Sequence, residues 1–211
     1  METTLPCYPV QWIDRWQLAN GSTVTVRPVL PQDKELARDF VARQLTPHSR
    51  YQRFMIGMSS LPSSMADYFT RIDYHDHFAL IAEVFDGQGH RQIGDGRFVR
   101  LASDPASAEF GLAVADAWQG YGLGRRLLQA TMTAAAAHGI HSLYGDVLRD
   151  NASMLQLARA NGFLVSAHPD DTRQRRVTRS LATLSGPTKR PQTPCANDAS
   201  WASAGQMSTV F

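Results

Sequence analysis

Cysteine is nearly absent: the 211 residues hold only Cys7 and Cys195, one near each end. That count excludes a disulfide scaffold and a cysteine-rich zinc module, and it fits a reducing, cytoplasmic compartment. No apolar run approaches the roughly 20 residues that span a bilayer, so no membrane role is expected. The opening residues, with Glu2 and Pro6, lack the basic-then-apolar pattern of a secretion signal. A dominant charge is missing too. Twenty-one Lys and Arg against 19 Asp and Glu leave +2, too small an excess to predict a nucleic-acid partner. What remains is 43% hydrophobic, enough for the core of one domain with tails.

Local patterns order that domain. Trp12, Ile13, Trp16 and Leu18 supply apolar bulk ahead of Asn20-Gly21, a two-residue hairpin signal, and the alternating β-branched run at 23–27 puts Val24 and Val26 on one face. Pro31 and Asp33 suit a helix's first turn, with Leu36, Phe40, Val41 and Leu45 at helical spacing and Pro47 as a breaker. A short helix is expected around Tyr51, Phe54 and Met55, and another after Pro62, capped by Ser63 or Ser64, with Met65, Tyr68, Phe69 and Ile72. Strands are expected at 78–85, 93–101 and 108–114, turned at 86–89 and 103–105. A helix from Leu123 ends at His138-Gly139, where a Gly stop belongs. A strand at 142–147, a helix from Asn151 to Asn161-Gly162, and strands near 163–165 and 176–178 follow. Residues 185–211 are rich in Ser, Thr, Pro and Ala and are expected to be a disordered tail.

The chemistry-bearing stretch is Gln119-Gly120-Tyr121-Gly122-Leu123-Gly124, between the strand at 108–114 and the long helix. The first turn of a helix has amides without intrahelical partners and partial positive charge, and glycines let an anion approach them closely. The stretch therefore reads as a phosphate or pyrophosphate cradle. It lacks the Lys-Ser/Thr pair of a P-loop and the Gly-x-Gly-x-x-Gly spacing of a dinucleotide turn.

Gln-x-x-Gly-x-Gly in this place resembles the GNAT family of acetyl-CoA-dependent N-acetyltransferases. The helix opened by Asn151 and closed by Asn161-Gly162-Phe163 resembles the family's second signature. The resemblance implies an α/β (α+β) GNAT fold, with a mixed sheet of about six to seven strands flanked by helices and an N-terminal β-hairpin. Residues 1–21 would be a lead-in and first hairpin strand, 22–184 the acetyltransferase domain and 185–211 the tail. Val26-Arg27-Pro28, Ile72-Asp73-Tyr74, Gly96-Arg97-Phe98, and Ala108-Glu109-Phe110 running into Trp118-Gln119-Gly120 are similar to the acetyltransferase domain of bacterial protein-lysine acetyltransferases. In many of those the domain is fused to an acyl-CoA-synthetase-like region, which these residues do not include, so the acceptor stays open.

The resemblance implies acetyl-CoA as co-substrate and no metal. The backbone along Leu112, Ala113 and Val114 would pair with the pantetheine arm like an added strand. Gln119, Gly120, Tyr121, Gly122, Leu123 and Gly124 would hold the pyrophosphate, with Arg125 adding a charge-assisted contact. Asn151 would face the pantetheine or serve as a plain helix cap. An alkyl amine, with a pKa of roughly 10.4, must lose a proton before it attacks. Glu109 is the expected general base, since related protein acetyltransferases carry a Glu there and burial would raise its pKa. The Tyr acid that many GNAT enzymes carry in the second signature helix is replaced here by Ala158, which leaves Ser153, a water or no acid. His75-Asp76-His77 reads as a solvated turn rather than a metal site, and the basic run Arg173, Arg175, Arg176 and Arg179 as a solvated strand edge. Three functions remain: acetylation of a protein lysine, acetylation of a small amine such as a polyamine, amino acid or aminoglycoside, and a non-catalytic acetyl-CoA sensor.

Overall fold

A computed structural model describes residues 7–85, 87 and 89–181; the tail expected over 185–211 lies outside them. The described strands form one sheet: β1 (Asp14–Gln17), β2 (Thr23–Pro28), β3 (His77–Phe85), β4 (His90–Arg100), β5 (Ser107–Val114), β6 (Ser142–Leu148), β7 (Leu164–Ala167) and β8 (Gln174–Ser180). The order is β1-β2-β3-β4-β5-β6-β8-β7. All pairs are antiparallel except β5 with β6. The mixed, helix-flanked sheet is the expected architecture; it has eight strands because both terminal hairpins join it.

The N-terminal hairpin turns where Asn20-Gly21 predicts, with Gly21 at φ 82° and the Asn20 carboxamide oxygen accepting from Ser22 N–H at 3.0 Å. Val24 and Val26 are both buried, as their alternation requires. The next helical region has three parts. A 3₁₀ turn (Pro31–Asp33) leads into α1 (Lys34–Asp39), which widens into a π-helical turn (Phe40–Gln44). Pro47 opens the next helix, α2 (Pro47–Phe54), rather than breaking the previous one. A proline tolerates the first helical position because its missing N–H has no partner there anyway, and Thr46 caps by accepting from Ser49 N–H at 3.2 Å. α3 (Ser63–Thr70) follows Pro62, then α4 (Leu123–Ala137) and α5 (Ala152–Ala160).

Each face of the sheet has its own packing logic. On one face, α4 lies so close to β4 that a Cβ added at Gly94 would stand 2.6 Å from Leu127, and one at Gly96 would stand 2.7 Å from Thr131. The two glycines of β4 are there to admit the helix. The opposite face carries polar groups from the same strand. Asp95 and Arg97 are buried together, and Arg97 Nη1 donates to the Phe69 carbonyl on α3 at 3.3 Å. His77 belongs to this cluster and not to a solvated turn: it starts β3, is buried, and has its Nε2 3.2 Å from Arg97. Burial and the neighbouring Arg97 cation both hold its pKa well below the usual imidazole value.

A second buried network ties α1 to the sheet. Arg27 on β2 donates to both carboxylate oxygens of Asp33 at 2.7 and 2.8 Å and to both of Glu83 on β3 at 3.1 Å. Asp33 in turn accepts from Leu30 N–H at 2.7 Å. One guanidinium thus fixes where the helical region leaves the sheet. Arg27→Met strands two buried carboxylates and is expected to cost about 3 kcal/mol, read as a lowered denaturant midpoint at neutral pH. Gly96→Val forces α4 off β4 and is expected to cost about 1–3 kcal/mol, read in a thermal melt, with surface substitutions on β4 far milder.

Candidate active site

β5 and β6 run parallel for only three residue pairs, ending at Glu109 with Tyr144, and then diverge. The first residues past that point are Phe110 and Gly145. The Phe110 ring lies over the glycine, where an added Cβ would stand 2.8 Å from the ring edge, and it packs on Phe163 at 5.1 Å. An aromatic wedge therefore fills the mouth of the splay.

Strand alternation then decides which backbone groups enter the gap. The Ser107 carbonyl accepts from Leu101 N–H, and Ala115 N–H donates to the Ile93 carbonyl. Odd-numbered residues of β5 thus turn their peptide groups toward β4, and even-numbered ones turn theirs toward the splay. Beyond Phe110, the even residues of β5 past the last β5–β6 pair are Leu112 and Val114. The Val114 carbonyl is taken by Gln119 Nε2 at 3.1 Å, which folds the glycine turn back onto the strand. The peptide of Leu112 and the N–H of Val114 remain as a free strand edge of the kind an extended ligand arm can join.

The glycine turn is shaped as the anion cradle requires. Gly120 and Gly122 have φ of 81° and 87°, where side chains strain the backbone, and a Cβ at either would meet nothing within 4 Å. Gly122 caps α4, so the first amides of that helix open toward the turn. A cleft of about 350 Å³ joins the splay to this turn. Leu112, Ala113, Val114, Gln119, Gly120, Gly122, Gly124, Arg125 and Asn151 all line it, so the structure brings these expected residues together. Tyr121 lies at a neighbouring shallow pocket with Arg125. Leu123 differs: its side chain is 1% exposed and packs toward Gly94, so only its backbone is available to a ligand.

Asn151 is a helix cap that also lines the cleft. Its Oδ1 accepts from Met154 N–H and from the Ser153 hydroxyl, both at 3.0 Å, capping α5. Its Nδ2 makes no hydrogen bond among the described residues and belongs to the cleft wall. Ser153 lines the cleft as well, whereas Ala158 is completely buried and carries no group that could protonate a leaving thiolate.

Three features of the site had no motif to announce them. α2 forms one wall through Leu45, Ser49, Gln52 and Arg53 from α2 and the turn before it. It is held there by Asp116, which accepts from Thr46 N–H at 2.8 Å, Thr46 Oγ1 at 3.1 Å and Ser49 Oγ at 2.7 Å, at the positive end of α2. Tyr144 is the third: its hydroxyl donates to Glu109 Oε2 at 3.2 Å.

Glu109 sits at the apex of the splay, 6% exposed, on the face of β5 that looks toward α3. Burial pushes its pKa up to about 7; Asp146 pushes the same way, while the Tyr144 hydrogen bond and the Arg53 and Arg176 cations pull it down. Tyr144 carries Arg176 over its ring at 4.9 Å, and Arg176 is bound by Asp146 through two bonds at 2.9 and 2.8 Å. Part of the basic run near the C-terminal strands is therefore anchored at the site rather than solvated along an edge. A carboxyl poised near neutrality beside a cleft that can hold a thioester carrier is equipped to take a proton from an attacking amine.

Comparison with known proteins agrees with this geometry. The family model described as an acetyltransferase (GNAT) domain matches residues 23–164. The acetyltransferase PA5475 of Pseudomonas aeruginosa is 29% identical over 163 residues, covering 76% of this chain and 87% of that protein. The acetyltransferase Pat of Mycolicibacterium smegmatis is 30% identical over 141 residues, covering 67% of this chain but only 41% of that longer protein. Among solved structures, the GNAT domain of S. lividans PAT superposes with a TM-score of 0.74 at 27% identity, covering 82% of this chain and 99% of that one. With glycine cradle, splayed strands and sheet order all in place, the chain belongs to the GNAT acetyltransferase family, acyltransferases that use acetyl-CoA.

Proposed function

We propose that this protein moves the acetyl group of acetyl-CoA onto the side-chain amine of a lysine in a protein, with Glu109 as general base. The observation that carries the reading is the placement of Glu109 at the point where β5 leaves β6, beside the free edge of Leu112. The pantetheine arm would extend that edge, the pyrophosphate would rest on the amides of 119–124 with Arg125 alongside, and Asn151 Nδ2 would donate to the arm. The thioester carbonyl is then delivered next to Glu109. The amine nitrogen attacks that carbon as its proton passes to Glu109, directly or through a water. The carbon–sulfur bond breaks, and CoA leaves as a thiolate that takes a proton from solvent or Ser153.

A protein acceptor is supported by the open side of the site. Glu109 shares its electrostatic surroundings with Tyr68, whose ring is 46% exposed at the rim of α3 and stacks near His77 at 4.9 Å. A lysine arm has a long apolar stem, which suits an exposed aromatic rim better than a closed acidic pocket would. The resemblance of Gly96-Arg97-Phe98 and Ala108-Glu109-Phe110 to protein-lysine acetyltransferases points the same way. The deciding experiment is thiol release from acetyl-CoA against lysine-bearing proteins and a panel of small amines in parallel. Turnover confined to the small amines sinks the protein-lysine reading; binding without release from any acceptor favours a sensor.

Glu109→Gln is expected to lower turnover by about 10²–10⁴-fold. In the native protein the carboxylate is the active form, so kcat/KM falls as pH drops through about 7, and that limb vanishes in the variant. The same substitution has an opposite effect on stability. A folded pKa above the unfolded one means the unfolded chain ionises first, so stability is lost as pH rises from about 4.3 toward the folded value. The loss above pH 7 is on the order of 3 kcal/mol. Glu109→Gln is thus expected to raise the melting temperature at pH 8 and to change it little at pH 4. An unchanged pH profile removes Glu109 from the role of base.

A further inference from the structure

Arg53 reaches the cleft from α2, and the acetyl-transfer scheme does not use it. Its guanidinium lies against bare backbone on β5, where a Cβ added at Gly111 would collide with Nη2 and Cζ. It is half-buried and sits near the rings of Phe54 and Phe69, 5.2 and 5.9 Å from their centroids. Among the described residues it makes no hydrogen bond and no ion pair. The charged groups that face it are Asp95, Arg97 and Glu109. Asp95 is already engaged by Arg97 through two bonds at 2.9 and 2.5 Å, and Glu109 accepts from Tyr144. Burial pushes the Arg53 pKa down to about 10, with Asp95 and Glu109 opposing and Arg97 adding to the push, so the group stays cationic at neutral pH.

A half-buried cation on a cleft wall that no protein group bonds is open to a ligand, and a planar guanidinium fork is matched in shape to a carboxylate. Position decides which carboxylate. Arg53 lines the same cleft as Leu112, Val114 and Asn151, across from the strand edge that the donor arm would join. It covers Gly111, which lies between Leu112 and Glu109, and an acyl chain carried by the thioester must pass there.

We infer that the cleft accepts a second class of donor, CoA thioesters of short dicarboxylic acids, with Arg53 gripping the free carboxylate of the acyl chain. The inference rests on the acetyl-transfer reading and deepens it. The bond changes are those of acetyl transfer. The amine nitrogen bonds to the thioester carbon, the carbon–sulfur bond breaks, sulfur leaves with the electron pair and gains a proton, and the amine's proton passes to Glu109. The distal carboxylate is unchanged, so the product is an amide that carries a negative charge where the lysine was positive.

The test compares kcat/KM and calorimetric Kd for acetyl-, butyryl- and succinyl-CoA with the full chain, using a lysine peptide free of acidic residues. Butyryl is the uncharged chain of equal length. The wild type is expected to favour succinyl- over butyryl-CoA by about 10-fold or more, as for hydrogen bonds to a charged group. Arg53→Gln is expected to erase that ratio. Gly111→Ala, which displaces the guanidinium but keeps its charge, is expected to reduce it. Equal use of succinyl- and butyryl-CoA by the wild type overturns the inference, and this comparison needs no variant to fold. An equal loss toward all three thioesters in Arg53→Gln also overturns it. So does a loss that appears only with acceptors bearing a carboxylate, which would assign the cation to the acceptor. If acetyl-CoA is neither bound nor consumed, the acetyl-transfer reading has failed; if acetyl-CoA works and succinyl-CoA has no advantage, this inference alone has failed.

Discussion

The structure depends on a hydrogen-bond ladder that stops early. β5 and β6 share three residue pairs and then separate, leaving the peptide groups of Leu112 and the N–H of Val114 without a partner among the described residues, in the middle of a sheet. Unpaired peptide groups inside a fold are normally avoided, because an amide that loses water without gaining a partner is expensive. Here they are kept accessible by a cleft, and the fold holds them open with the Phe110 ring over Gly145 on one side and α2 on the other. The glycine turn and the start of α4 come next in the chain. One discontinuity therefore places the open strand edge next to the glycine turn in a single cleft.

That opening also sets the electrostatics. Glu109 is the last residue before the strands part, so it is covered by the sheet and sits behind the cleft's lining rather than on it. Its raised pKa is mainly a consequence of where the ladder ends, tuned by Tyr144, Asp146, Arg53 and Arg176. Elsewhere buried charges come in fully bonded sets: Arg27 with Asp33 and Glu83, and Arg97 with Asp95. Those sets fix helices to strands. Arg53, half-buried at the splay, has no such bonded set among the described residues. Buried charge in a bonded set reads as architecture, and a half-buried charge on a cleft wall reads as a place for a ligand.

α2 shows how remote parts of the chain assemble the site. It contributes a wall only because Asp116, on the turn after β5, binds the capped start of the helix. The anchor lies 67 residues from Ser49 in sequence. The same turn returns Gln119 to Val114, so one short segment positions the cradle and the wall together.

Local sequence patterns settled most of the element order. The hairpin at Asn20-Gly21, the β5-to-α4 glycine turn, the Gly stop after α4 and the Asn151 cap are each decided by a few neighbouring residues whose backbone preferences are strong. The glycine turn at 119–124 was legible for the same reason, being consecutive in the chain, whereas the expectation for Glu109 came from the resemblance to related acetyltransferases. Other features were not legible because they are relations between distant residues. Pro47 as a helix opener needed Thr46 and Asp116, and the burial of His77 needed Arg97 from another strand. Leu123 turned out to be core because α4 packs tightly on glycines in β4. Tyr144 and Arg53 carry no motif, since what matters is how far each lies from a strand it never neighbours in sequence. Short-range conformational preference is written residue by residue, whereas burial, pairing and the partner left missing exist only once the sheet has closed around them.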